Sequence, residues 1–248
     1  MLDIAPLSAR SVMLSLLLGS HPDRMSAAEL VQAGEHFGVP AATTRVALTR
    51  AVAAGDLRRA GPATGSGQAA NYELGDRLAA RQRRQDEAAL DAEQPWAGDW
   101  ELAVVVVAGR PGAERAALRE RLASYRLAEL REGVWTRPAN LRRPRAYADD
   151  AVLSTFTVTP DGDPTALAAE LWDLRGWAAT GRALLELLAE TTDPAPRLAA
   201  AAQLVRHLAG DPLLPASLLP RDWPATAMRA AYASYQAELR TLAFSALS

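Results

Sequence analysis

Three helix-forming stretches closed by glycine stops fill the N-terminal part of the chain, and the pattern then changes abruptly to short strands. Few folds accept that order. Ser8 to Leu18 places Val12, Met13, Leu16 and Leu17 on one helical face, with Ser8 as cap and Gly19 as stop. A polar connector, HPDRM, follows. Ser26-Ala27-Ala28-Glu29 has capping-box form, in which hydroxyl and carboxylate satisfy each other's orphan amides, and it opens a short helix ending near Gly34. Gly38-Val39-Pro40 turns the chain, with Pro40 suited to the first helical position, into a third helix from Ala41 to Ala54 closed by Gly55. Leu57-Arg58-Arg59-Ala60 and Asn71-Tyr72-Glu73-Leu74 then read as two strands around a Pro/Gly/Ser loop. Three helices followed by a β-hairpin is the order of a winged helix-turn-helix.

The third helix decides what such a unit does. With Leu48 at the centre of its buried face, a period of 3.6 sets Ala41, Thr44, Ala51, Val52 and Gly55 beside it. Ala42, Thr43, Val46, Arg50 and Ala53 then turn outward, with Arg45 and Thr49 toward the edges. A narrow, small and polar face bearing arginine suits a major groove, where Arg grips guanine bidentately and Thr meets phosphate or base edge. An ordinary surface helix with two arginines has the same pattern, so the local charge matters. The formal net charge is −2. Yet Pro40 to Arg84 carries eight arginines against Asp56, Glu73 and Asp76, a local excess of five. Thr43, Arg45, Thr49 and Arg50 are the candidate DNA readers, and Arg58 and Arg59 the candidate phosphate contacts.

Arg77 to Glu93 reads as a polar connecting helix. Trp100 to Val107 is a buried strand, Gly112 to Leu122 a helix, and Gly133 to Thr136 and Val152 to Thr159 are strands. With the helix-like Pro164 to Leu171, this suits a ferredoxin-like α+β sandwich. Helical sequence follows, broken at Asp193 to Pro196, Gly210 to Pro215 and Pro220 to Pro224. The expected fold is α+β, mainly α, divided at residues 1–92, 93–165 and 166–248. Cysteine is absent, which excludes disulfides, thiolate nucleophiles and zinc ribbons. No apolar run has the length of a membrane span, and the N-terminus has Asp3 and no basic n-region, so a cytoplasmic protein is expected.

Longer strings carry a family resemblance. TTRVALTRAVAAGDL (Thr43 to Leu57), WAGDW (Trp96 to Trp100), EGVWTRP (Glu132 to Pro138), LWDLRGWA (Leu171 to Ala178) and above all DPLLPASLLPRDWP (Asp211 to Pro224) resemble the PaaX family, in the family's order. The resemblance implies a homodimeric repressor with a winged-helix reader, a middle domain like the Cas2 sandwich and a helical C-terminal domain. It also implies that double-stranded operator DNA is released when a small-molecule effector binds. The family's best-known effector is an aryl-acyl-CoA, phenylacetyl-CoA. Two positions depart from the pattern. The wing tip GPATGSGQAAN has no basic residue, and Trp223-Pro224 continues with Ala225 rather than Gly.

Competing chemistry finds little support. None of His21, His36 and His207 has metal-ligand spacing to another His or a carboxylate, and no nucleophile elbow, P-loop or dinucleotide fingerprint occurs. A Cas2-like metal-dependent nuclease would want an Asp ending the first strand of the sandwich, where this chain reads Val106-Val107-Ala108-Gly109-Arg110. No catalytic residue, metal or cofactor is expected. A non-catalytic adaptor with a vestigial DNA-binding fold is the other alternative. For the effector, Arg142, Arg143 and Arg145, with Arg137 nearby, form the one cluster suited to CoA phosphates, because guanidinium offers a fixed fork of donors. A solvated basic loop has the same composition. Trp135, Trp172, Trp177 and Trp223 suit either an aromatic pocket or domain core, and His207 either an effector site or a helix end.

Overall fold

Ser8 begins the first helix as its sequence suggests. In the computed structural model, which describes residues 5–61, 70–89 and 93–245, the Ser8 hydroxyl accepts from the Ser11 amide at 3.2 Å. Helix α1 (Ala9–Leu18) buries Val12, Met13, Leu16 and Leu17. Helix α2 (Ala27–His36) opens on the reciprocal box. The Glu29 amide donates to Ser26 Oγ at 3.2 Å, and the Ser26 amide to Glu29 Oε2 at 2.6 Å. This helix runs two residues past Gly34, and Pro40 stands at the N-cap of α3 (Ala41–Ala53) rather than inside its first turn.

Strands β2 (Leu57–Ala60) and β3 (Asn71–Leu74) pair antiparallel, and β1 (Arg24–Ser26) joins β3 on its other edge. The sequence hides β1 because three residues inside a polar connector show no alternation. It forms where β3 offers unpaired backbone. Three helices and a three-stranded sheet in this order are compatible with a winged helix-turn-helix. The wing tip falls largely at residues 62–69, outside the described residues.

Two glycines set the close approaches. A Cβ at Gly34 would lie 2.6 Å from Thr44 Oγ1 and 3.1 Å from Met13 Cε, so α2 rests its backbone on α3. A Cβ at Gly75 would lie 2.1 Å from the Gly55 carbonyl, where β3 passes the α3–β2 corner. Helix α4 (Asp76–Ala89) follows. Its buried Gln82 shares an amide among the carbonyls of Leu17, Leu18 and Ser20 at 3.0–3.2 Å, capping the end of α1.

The chain divides into two compact units. The first holds Met1–Leu90, Thr180–Gly210 and Pro224–Ser248, the second Asp91–Ala179 and Asp211–Trp223. In the first unit α8 (Pro194–Leu208), with Pro194 in its first turn, buries Leu198 to Ala201, Leu204, Val205 and Leu208. It packs on α9 (Ala225–Ser245), α4 and α1.

The second unit is built on β4 (Trp100–Val105), β5 (Ala128–Arg131), β6 (Val134–Pro138) and β7 (Leu153–Val158), antiparallel in the order β5-β6-β4-β7. That is the ferredoxin-like order, with α5 (Gly112–Ser124) as its first crossover. A 3-10 turn, Ala146–Asp149, stands where the second crossover helix would lie. β5 escapes the sequence reading because Ala-Glu-Leu-Arg favours helix. β4 stops at Val105, leaving Val106 and Val107 exposed. Leu118, Leu122, Trp135, Tyr147 and Leu153 close one core against the sheet. Trp100, Leu174, Leu214 and Leu218 form a second, with Leu174 at the start of α7 (Leu174–Glu190) and Ala168 supplied by α6 (Pro164–Leu171). Among the described residues no helix is long and apolar enough to cross a membrane.

The α2–α3 contact leaves no room for a methyl group. Gly34→Ala is expected to destabilise the protein by about 1–3 kcal/mol through overpacking. Gly112→Ala, whose Cβ meets open space, should be neutral. Chemical denaturation of both variants checks the pair.

Candidate nucleic-acid interface and effector residues

On α3 the buried residues are Thr44, Ala47, Leu48 and Ala51. This face is turned toward Ala47 compared with the expectation. Ala41 and Val52 are only half-buried, and Gly55 lies beyond the helix end, exposed with φ +73°. The outward face is as expected: Ala42, Thr43, Arg45, Val46, Thr49, Arg50 and Ala53 are all exposed. Thr49 Oγ1 donates back to the Arg45 carbonyl at 3.0 Å, and so keeps its acceptor lone pairs outward. Val46, 50% exposed at the middle of this face, is an apolar side chain with nothing to cover it within the helix. The sequence reading placed it outward but gave it no role. A branched apolar residue between Thr43 and Arg50 was the available signal.

The candidate phosphate contacts differ from each other. Cross-strand register sets Arg24 and Arg58 on either side of Glu73. Arg24 bonds Glu73 closely, and Arg58 Nε lies 3.3 Å from it. A second Arg58 nitrogen is 3.1 Å from Asp76. The Arg24 hydrogen bond and the two guanidinium charges hold the Glu73 carboxyl below its ordinary pKa, against a smaller opposing effect of burial. Arg58 is therefore already engaged, though in exposed pairs that are weak and open to competition. Arg59 is exposed. Beneath the sheet, buried Asp56 receives Arg10 and Arg77, the latter at 2.9 Å, joining the α3–β2 corner to α1 and α4.

The proposed effector residues do not form one basic surface. Arg137, read as part of a phosphate-binding cluster, has 0% exposure. It donates to the carbonyls of Pro138 and Leu213 and to Asn140 Oδ1 at 2.9–3.0 Å. Burial, and after it the Arg143 charge, lower its pKa to about 9, with Glu101 opposing. It remains a cation at neutral pH, spent on internal carbonyls. Trp135 belongs to the core under the sheet, not to a pocket wall.

Arg143 donates to Glu101 Oε2 at 3.1 Å and to the Tyr125 carbonyl at 2.8 Å, with its guanidinium over the rings of Tyr125 and Tyr147. Arg145 reaches Glu101 at 3.5 Å and Thr157 at 3.0 Å. Tyr147 also bonds Glu101, and burial followed by that bond raises its pKa. The cluster is thus an ion network around Glu101, itself 2% exposed. Of Arg137, Arg142, Arg143 and Arg145, Arg142 alone is exposed. A lone acid in a strand that otherwise reads as buried was the signal for Glu101, because a buried charge needs partners. His207 ends α8 in the first unit, where its carbonyl accepts from the Gly210 amide at 2.9 Å.

Comparison with known proteins covers most of the chain. Residues 8–78 match the family described as PaaX-like protein. Residues 93–159 match the PaaX protein central Cas2-like domain, and residues 172–247 the PaaX-like protein C-terminal domain. A solved structure of the uncharacterized protein Rv0674 from Mycobacterium tuberculosis is 44% identical. The match covers 97% of this chain and 99% of that one, with a TM-score of 0.80. No curated protein matches the chain. Matched from its first helix to its last, the chain belongs to the PaaX family.

Proposed function

We propose that the protein is a non-enzymatic, cytoplasmic transcriptional repressor that binds double-stranded operator DNA as a homodimer. The reader lies in residues 1–92, a Cas2-like middle domain in 93–165 and a helical domain in 166–248. The observation that carries this reading is the outward face of α3, with Arg45 and Arg50 flanking Thr43, Val46 and Thr49, all exposed on a helix whose other face is buried. Arginine reads guanine and small apolar groups meet the thymine methyl. One such helix makes few base contacts, and a two-fold dimer doubles them and fixes half-site spacing. In this reading a small-molecule effector, an aryl- or acyl-CoA thioester, releases the operator. Arg142 is the member of the Arg142–Arg145 cluster left exposed to meet a phosphate. Release requires the effector to favour the DNA-free conformation.

Mobility shift with DNA from upstream of the protein's own coding sequence, beside thermal melting, tests the reading. Arg50→Ala is expected to weaken operator binding by about 1–3 kcal/mol with little change in melting. Arg59→Ala should weaken operator and unrelated DNA alike and flatten the salt dependence. Leu48→Ala should lose stability by about 2–5 kcal/mol through a core cavity. An Arg50→Ala protein that melts normally and binds its operator with wild-type affinity contradicts the assignment.

Glu73 supplies a second expectation. Its folded pKa is lowered, so its pairs stabilise the fold above its unfolded pKa and lose that effect as pH falls through the folded value. Glu73→Gln should therefore cost less than about 1 kcal/mol at neutral pH and nothing in acid. With Arg24 released and Arg58 held, among the described residues, only by exposed Asp76, non-specific DNA affinity should rise. Melting against pH and salt-dependent binding to unrelated DNA check both parts.

A further inference from the structure

Within the first unit a cavity of about 110 Å³ lies between α1, α4, α8 and α9. Helix α1 is two-sided. Val12, Met13, Leu16 and Leu17 are buried in the core, and Ser11, Leu14 and Leu18 line the cavity. Leu78 of α4, Leu198 and Ala202 of α8 and Leu239 of α9 complete an apolar wall. Three features make this more than a packing fault. Tyr235 lines the cavity at 5% exposure, and among the described residues its phenol oxygen has no hydrogen-bond partner, although a buried hydroxyl ordinarily finds one. Two arginines, Arg81 and Arg206, line the same space, and among the described residues no carboxylate does. The volume is on the scale of one ring, somewhat below the roughly 150 Å³ of an apolar cavity that holds benzene, so a ring substituent would sit at the mouth.

We propose that this cavity binds a small apolar carboxylate of one-ring size, its ring among Leu14, Leu18 and Leu198 and its carboxylate accepting from Arg206 at the exposed rim. The ligand would touch α1, which packs on the reading helix α3 as well as on α8, so occupancy can bias the DNA-reading module. The proposal rests on the repressor reading only for that consequence. Binding itself needs no DNA. A CoA thioester carries a nucleotide far larger than the cavity and would have to leave it outside.

Calorimetry on the full-length protein uses benzoate, its neutral counterpart benzamide, and benzoyl-CoA. Benzoate is expected to bind once per chain, with benzamide about tenfold weaker because the charge-assisted bonds are lost. Arg206→Gln, at an exposed position, should weaken benzoate about tenfold and leave melting unchanged. Ala202→Leu should fill the cavity and abolish binding. No saturable heat with benzoate titrated to roughly 10 mM overturns the proposal. So does benzoate binding that Arg206→Gln and Ala202→Leu both leave intact, or binding of benzoyl-CoA without benzoate. A protein that binds benzoate and shifts no DNA keeps the site and loses the repressor reading. One that shifts DNA and binds no benzoate does the reverse.

Discussion

The seat of α2 on α3 determines what the N-terminal module can present. Gly34 lets the α2 backbone meet Thr44, and Leu48 and Ala51 bury the rest of that side of α3. Once this face is committed, the opposite one has no core to enter and Thr43, Val46 and Arg50 must face outward. Burial of Leu48 contributes on the order of 2 kcal/mol, whereas each exposed side chain contributes little to stability. The outward face is therefore free to vary its chemistry without cost to the fold, as the proposed recognition role requires.

The same module is tied together by two buried polar side chains that each hold several partners. Asp56 joins two arginines, and Gln82 closes the last carbonyls of α1. In the second unit Glu101 and Arg137 do the equivalent work, one drawing in Arg143, Arg145 and Tyr147, the other fastening β6 to the Leu213 carbonyl. Removing one member of such a set leaves a buried charge unsatisfied, which costs more than the pair contributed.

These networks also show where sequence is readable. Helical period exposes the faces of α1 and α3, because apolar burial repeats every three or four residues. The capping box announces α2 by chemistry that acts over three residues. Strand β1 is too short for a pattern, and β5 carries helix-favouring residues that the sheet overrides. The arginine cluster misled most. Arg137 and Arg142 look alike in sequence, yet one is sealed on carbonyls supplied from residue 213 and the other is exposed. The pairing of Arg58 with Glu73 depends on strand register, and the cavity on four helices distant in sequence. Neither leaves a local trace.

The central claim is that the outward face of α3 enters operator DNA. The chain has no cysteine, so Val46→Cys creates a single thiol at the middle of that face, and Ser234→Cys a single exposed thiol on α9 of the same unit. Iron–EDTA tethered to either thiol cleaves DNA near it. Cleavage of bound operator from position 46, confined to a few nucleotides in each half-site and absent from position 234, is the predicted result. Bound operator left uncut from position 46, or cut equally from both positions, would contradict the account.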